Sequence, residues 1–242
     1  MIYFLIPSYN DSGNFDTLLK NISKTVKKQK KIIIVDDGST DETKKVITKL
    51  AKIAPLLRVG YKNNRGPGFA FKSGFDFLKK EIKRGDLIVT MEADNTSDYS
   101  ILNKMLNLAK KYDVVLSSPY SKGGKFLGIS QERKILSLVS NYLDQIIFGL
   151  SVKTTSSFYR VYKAEILKKA FEKYNDRLIT DDGFSAVIEI LIKLKKINAK
   201  FIEVPAIVDW TKRDGKSKMK VLKTVLRHMN LYKDFYEGKF NK

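Results

Sequence analysis

Short β-branched runs alternate with stretches of helical periodicity through the first half of the chain, and this alternation leaves few architectures open. Strand-like runs cover residues 2–8, 31–37, 56–61, 86–94 and 113–120. Between them, Phe15, Leu18, Leu19 and Ile22 fall at helical spacing, as do Val46, Ile47 and Leu50, and then Ile101, Met105 and Leu108. Strands separated by helices imply crossover units and a mostly parallel sheet flanked by helices, the α/β class. The runs are continuously apolar rather than alternating, as strands buried on both faces should be.

The second half is less regular. Ile135, Leu138, Val139, Tyr142 and Ile146 form one stripe of an amphipathic helix. A strand is expected over 158–162, a helix over 188–195 and a strand over 200–208. From Lys218 to about Tyr236, Leu222, Val225, Leu226, Met229 and Tyr232 share a helical face, with Lys220, Lys223, Arg227 and Lys233 largely off it. Such a helix either lies on an anionic membrane or packs on the core with a solvated basic face. With no repeat or linker in view, residues 1–217 read as one domain. Residues 218–242 read as a terminal basic helix, within that domain or membrane-associated.

Composition narrows the chemistry. There is no cysteine and a single histidine, His228. That excludes disulfides, thiolate metal centres and cysteine nucleophiles, and it argues against His-cluster metals and a Ser-His-Asp triad. Carboxylates, hydroxyls, Lys and Arg remain, and they favour hard, oxygen-seeking cations. The formal net charge of +20 points to an anionic partner, or simply to a lysine-rich proteome. The chain starts directly in a strand-like run and has no apolar stretch near the roughly 20 residues that span a bilayer. A soluble or peripheral protein facing the cytosol is expected.

In an open parallel sheet, ligands bind outside the carboxyl ends of the strands. Three polar clusters fall there: Pro7-Ser8-Tyr9-Asn10-Asp11, Val35-Asp36-Asp37-Gly38-Ser39-Thr40-Asp41 and Met91-Glu92-Ala93-Asp94. Gly38 and Thr40 suit a turn and a helix cap, but a turn does not explain two consecutive acids. Glu92 and Asp94 have period-two spacing, so both carboxylates can point to one side and grip a divalent cation; two solvated loop acids are the plainer account. Asn64-Arg65-Gly66-Pro67-Gly68-Phe69-Ala70 precedes a helix, and its glycines would let backbone N–H groups approach a phosphate or ribose. Its spacing is not the dinucleotide fingerprint.

Taken together, these segments resemble the family-2 glycosyltransferases of the GT-A fold. Ser118-Pro119-Tyr120-Ser121-Lys122-Gly123-Gly124, Arg133-Lys134 with Ser137 and Asn141, Ser156-Ser157-Phe158-Tyr159-Arg160-Val161-Tyr162, Glu203-Val204-Pro205 and Arg213-Asp214-Gly215-Lys216-Ser217-Lys218 look like the polyprenyl-phosphate sugar synthases, which include the dolichyl-phosphate mannose and glucose synthases. The resemblance implies that Pro7, Tyr9 and Asp11 line a nucleotide pocket with Gly66 and Ala93. It also implies that Asp37 contacts the base and Asp36 supports the loop. Glu92 and Asp94 occupy the Asp-X-Asp motif, so that Asp94 would ligate Mg²⁺ or Mn²⁺. Arg213, Ser217 and Lys218 would belong to a loop closing over a UDP- or GDP-sugar donor. Arg133, Ser137 and Arg160 are the candidates for contacting the acceptor.

This sequence departs from the pattern at three positions: Glu92 replaces the usual first Asp, Thr96 a frequent Gln, and Pro119 a common Arg. The implied reaction is an inverting displacement on the anomeric carbon, with a polyprenyl phosphate as the favoured acceptor at the cytoplasmic face of a membrane. A glycan or glycolipid hydroxyl would need a general base, for which Asp181 or Asp182 is the candidate; a helix cap is the competing explanation of that pair. A nucleic-acid binder is disfavoured, because the basic residues are scattered and acids line the strand ends. A related fold that binds without catalysis is the remaining alternative.

Overall fold

The computed structural model describes residues 1–213 and 221–241. Seven strands form one sheet: β1 (Ile2–Ser8), β2 (Lys30–Asp36), β3 (Leu56–Gly60), β4 (Leu87–Thr90), β5 (Val114–Ser118), β7 (Arg160–Lys163) and β8 (Phe201–Pro205), in the order β3-β2-β1-β4-β7-β5-β8. All neighbours are parallel except β7, which runs antiparallel between β4 and β5. Two short strands, β6 (Lys125–Leu127) and β9 (Ile207–Asp209), pair parallel beside it. The mostly parallel α/β expectation is met. The run over 86–94 keeps strand geometry only to Thr90, and that over 200–208 breaks at Ala206 to supply β9.

Side-chain alternation divides the core in two. Tyr3, Leu5, Ile33 and Val35 face α3 (Pro67–Glu81), α6 (Ala164–Tyr174) and α7 (Ala186–Lys195). Phe4, Ile6, Ile32 and Ile34 face α1 (Phe15–Thr25), α2 (Thr43–Leu50) and α4 (Leu102–Leu108). Both faces are covered, which is why the strands read as unbroken apolar runs. Gly74 lets α3 lie close on β1, since a Cβ there would stand 2.2 Å from Leu5 Cδ1.

The remaining helices, α5 (Gln131–Phe148) and α8 (Val221–Tyr236), dock differently. The apolar stripe of α5 does not face the core: Ile135 and Tyr142 are each 61% exposed, and Leu138, Val139 and Ile146 are exposed with them. The buried edge holds Asn141, Asp144 and Phe148. Asn141 Oδ1 accepts from Thr155 N (2.6 Å) and lies 2.9 Å from Thr155 Oγ1. Fully buried Asp144 accepts from Thr155 Oγ1 at 2.5 Å and from Tyr232 Oη at 3.0 Å, and lies 2.6 Å from His228 Nε2. His228 and Tyr232 belong to α8, which packs through Leu231, Tyr232 and Phe235 and leaves Leu226 and Met229 exposed. A polar seam, not the apolar stripe, therefore sets how both helices sit. Asp144→Ala should cost about 3 kcal/mol of unfolding free energy in chemical denaturation, because buried Thr155 and half-buried His228 and Tyr232 lose their acceptor.

Candidate active site

The three polar strand ends meet at one edge of the sheet, as parallel neighbours β2, β1 and β4 require. Asp37 N donates to Ser8 O at 2.8 Å. Asn10 bridges the first two clusters: its Oδ1 accepts from Thr40 N (2.8 Å), and its N donates to Ser39 Oγ (2.9 Å). Asp11 Oδ2 accepts from Ser8 Oγ and Tyr9 N, turning the chain after Pro7 at the end of β1.

The adjacent aspartates do separate jobs. Asp36, almost fully buried, takes a fork from Arg58 on β3 (Nε 3.0 Å, Nη2 2.6 Å) and a bond from Ser39 N. Asp37 accepts from Arg65 N at 2.8 Å, Gly66 N at 2.9 Å and Asn64 Nδ2 at 2.9 Å. Burial still raises its carboxyl above the ordinary range. In this arrangement Asp37 clamps the 64–66 loop. That loop also differs from expectation: the Gly66 N–H serves Asp37, and Gly68 N donates to Asp182 O at 2.9 Å. A Cβ at Gly66 or Gly68 would stand 2.3 Å from Asp182 O or 2.0 Å from Asp181 O. The glycines admit a neighbouring loop, and their N–H groups are already engaged. Asp182 itself is exposed, while Asp181 Oδ1 accepts from Gly183 N and meets Arg227 of α8 at 3.2 Å.

After β4, Asp94 bends back on Thr96, whose Oγ1 (2.7 Å) and N (3.2 Å) both donate to Asp94 Oδ1. Oδ2 is left facing Arg213 Nε at 3.6 Å. Burial, then the charge of Asp94, pushes the Glu92 carboxyl up to about 8, with Asp11 adding to the rise and Arg213 opposing it. Glu92 thus feels the charge of both neighbouring acids. No cluster of three or more His or acidic residues able to hold a metal occurs among the described residues. Two carboxylates are the donor chemistry of a hard divalent cation, which at Glu92 and Asp94 would have to take its remaining ligands from a bound molecule and water.

Glu92, Asp94, Arg133, Ser137 and Arg213 all line one cavity of about 400 Å³, between the β4 and β5 ends on one side and α5 and α8 on the other. Trp210 stands between the two arginines, its ring centre 5.5 Å from each guanidinium carbon. Arg160 is not there. It is 1% exposed and donates to Thr155 O and Val187 O, each at 2.6 Å, so it is a core arginine rather than an acceptor contact. Its place on an internal strand decides this, since the side chain must point into one packed face. Ser217 and Lys218 lie outside the described residues. Sequence reading missed Trp210 and His228 as cavity walls; the lone aromatic beside Arg213 was the available signal for the first.

The Glu92 shift has a measurable consequence. Between its ordinary value near 4.5 and about 8, the folded chain keeps a proton that the unfolded chain has lost, so stability falls as pH rises. In metal-free buffer, Glu92→Gln should melt higher than wild type above pH 8, and the difference should vanish near pH 4.

Residues 3–171 match the family model described as Glycosyl transferase family 2. Curated relatives include the undecaprenyl-phosphate mannosyltransferase of Micrococcus luteus, 26% identical over 89% of this chain and 86% of that protein. The polyprenol monophosphomannose synthase of Mycolicibacterium smegmatis is 27% identical over 89% of this chain and 79% of that one. Among solved structures, glucosyl-3-phosphoglycerate synthase of Mycobacterium tuberculosis, in complex with Mn²⁺ and UDP-glucose, superposes with a TM-score of 0.60 at 16% identity, over 94% of this chain and 78% of that one. The shared fold is GT-A.

Proposed function

The chain belongs to glycosyl transferase family 2, and from that premise we propose that it transfers a hexose from a nucleoside diphosphate to a polyprenyl phosphate at a membrane surface. The observation that carries this reading is the cavity. It starts at Glu92 and Asp94, passes Arg213 and Arg133, and continues between apolar walls of α5 and α8. One end suits a diphosphate, the middle an anionic head group, and the far end a hydrocarbon. The names of the two relatives, an undecaprenyl-phosphate mannosyltransferase and a polyprenol monophosphomannose synthase, support the same acceptor class.

In this reading Glu92 and Asp94 would hold Mg²⁺ or Mn²⁺, which would neutralise the donor diphosphate. Arg213, 3.6 Å from Asp94, offers its guanidinium to the leaving phosphate, where negative charge grows. Arg133 and Ser137 on α5 hold the acceptor phosphate. One of its oxygens attacks the anomeric carbon as the bond to the diphosphate breaks, and the configuration inverts. A phosphate monoester is already an anion at neutral pH, so no base is required. The exposed Asp182 is then free of that duty, and a sugar-hydroxyl acceptor, which would need it, is the less supported alternative.

Membrane contact belongs to the same proposal. Among the described residues, no helix is long and apolar enough to cross a bilayer. Yet α5 and α8 both turn large apolar side chains outward beside the cavity, and exposed Lys134 and the +20 charge suit an anionic surface. Residues 1–217 would form the transferase domain, with 218–242 completing its membrane-facing side.

Donor titrations with UDP- and GDP-hexoses should show binding that requires Mn²⁺ and falls at least about tenfold in Asp94→Ala, the loss of a charged metal ligand. Failure of every donor to bind wild type would overturn the reading. On phosphatidylglycerol vesicles, Ile135→Asp combined with Met229→Asp should weaken binding about tenfold or more while leaving soluble donor binding intact.

A further inference from the structure

Five buried side-chain nitrogen or oxygen atoms lack a hydrogen-bond partner among the described residues. Three of them are hydroxyls of residues that line the cavity described above: Ser97, Tyr159 and Ser185. The residues are 6%, 3% and 1% exposed. A folded chain rarely leaves such groups unpaired, because each gives up its bonds to water on burial. Three at one cavity point to a ligand that completes them.

The surroundings select the ligand. Other hydroxyl residues of the cavity are already paired, Ser117 with Ser157 at 2.9 Å and Thr154 with Ser118 behind it at 2.6 Å. The cavity's cations, Arg213 and Arg133, flank Trp210, and they suit phosphates. Ser97 directly follows Thr96, whose N–H and hydroxyl both bind Asp94, so it lies beside the cation seat. Burial pushes the Tyr159 phenol well above its ordinary range, so it stays a neutral donor. Neutral groups that both donate and accept match the hydroxyls of a sugar better than the oxygens of a phosphate.

We propose that Ser97, Tyr159 and Ser185 bind the hydroxyls of the transferred hexose and set which hexose is accepted. This rests on the donor reading above and names the residues that discriminate within it. A site built to bond a hydroxyl rejects a ligand that lacks it, because the protein group is then left bare.

The test uses Ser97→Ala, Tyr159→Phe and Ser185→Ala, each removing one oxygen atom. Calorimetric titration with Mn²⁺ would compare GDP-mannose, UDP-glucose, GDP and UDP on each protein, beside thermal melts. Each variant should bind the preferred nucleotide sugar about three- to tenfold more weakly, the worth of one neutral hydrogen bond. Binding of the bare nucleoside diphosphate should be unchanged, and the melting temperature equal or higher, since an unpaired buried hydroxyl is removed. Unchanged nucleotide-sugar affinity, an equal loss for the bare diphosphate, or a lower melting temperature would each overturn the assignment while leaving the donor reading intact. Wild type that binds neither nucleotide sugar nor diphosphate would instead overturn the donor reading, and this assignment with it.

Discussion

The site depends on a buried acid. Asp144 has no exposure and gathers Thr155, His228 and Tyr232 around its two oxygens, while Asn141 one turn earlier holds the Thr155 backbone. Burying a carboxylate is costly unless its bonds are made, so the seam admits essentially one arrangement of α5 against α8. That arrangement decides two things together. It forms the far wall of the cavity, and it turns Ile135, Leu138, Val139, Tyr142 and Ile146 away from the core.

A second constraint is electrostatic and sits at the other end of the cavity. Parallel pairing of β2, β1 and β4 carries Asp11, Asp36, Asp37, Glu92 and Asp94 to one edge, and the fold offsets that charge locally. Arg58 takes Asp36, the 64–66 loop takes Asp37, and Arg213 faces Asp94. Glu92 is left with the rise to about 8. Carboxylates held close but only partly neutralised are a charge that a divalent cation would offset.

Loop packing links the two ends. Gly66 and Gly68 accept the 181–182 backbone at distances no Cβ allows, and Asp181 reaches Arg227 on α8. Behind that loop, buried Glu189 accepts from Thr180 N and Asp181 N and pairs with Lys193 at 2.5 Å. The clamp on Asp37 and the helix bordering the cavity thus share one support.

Much of this was legible beforehand. Continuous apolar runs gave away a parallel sheet covered on both faces, and polar clusters at three strand ends marked the edge where the acids gather. These are local signals: period, turn chemistry and strand order follow from neighbours in sequence. What the sequence could not settle turned on partners far along the chain. Arg160 reads like a surface cation until its strand is seen to lie between β4 and β5, where the side chain can only point into a packed face and bond carbonyls. The glycines of the 64–68 loop read like a phosphate cradle until the 181–182 backbone is seen against them. The stripe on α5 has the spacing of a core face, yet periodicity records only that one face is apolar. Whether it meets core or solvent was decided by Asp144 and Asn141 on the opposite edge, because a buried acid must find its donors, and those donors lie 11 to 88 residues away in sequence.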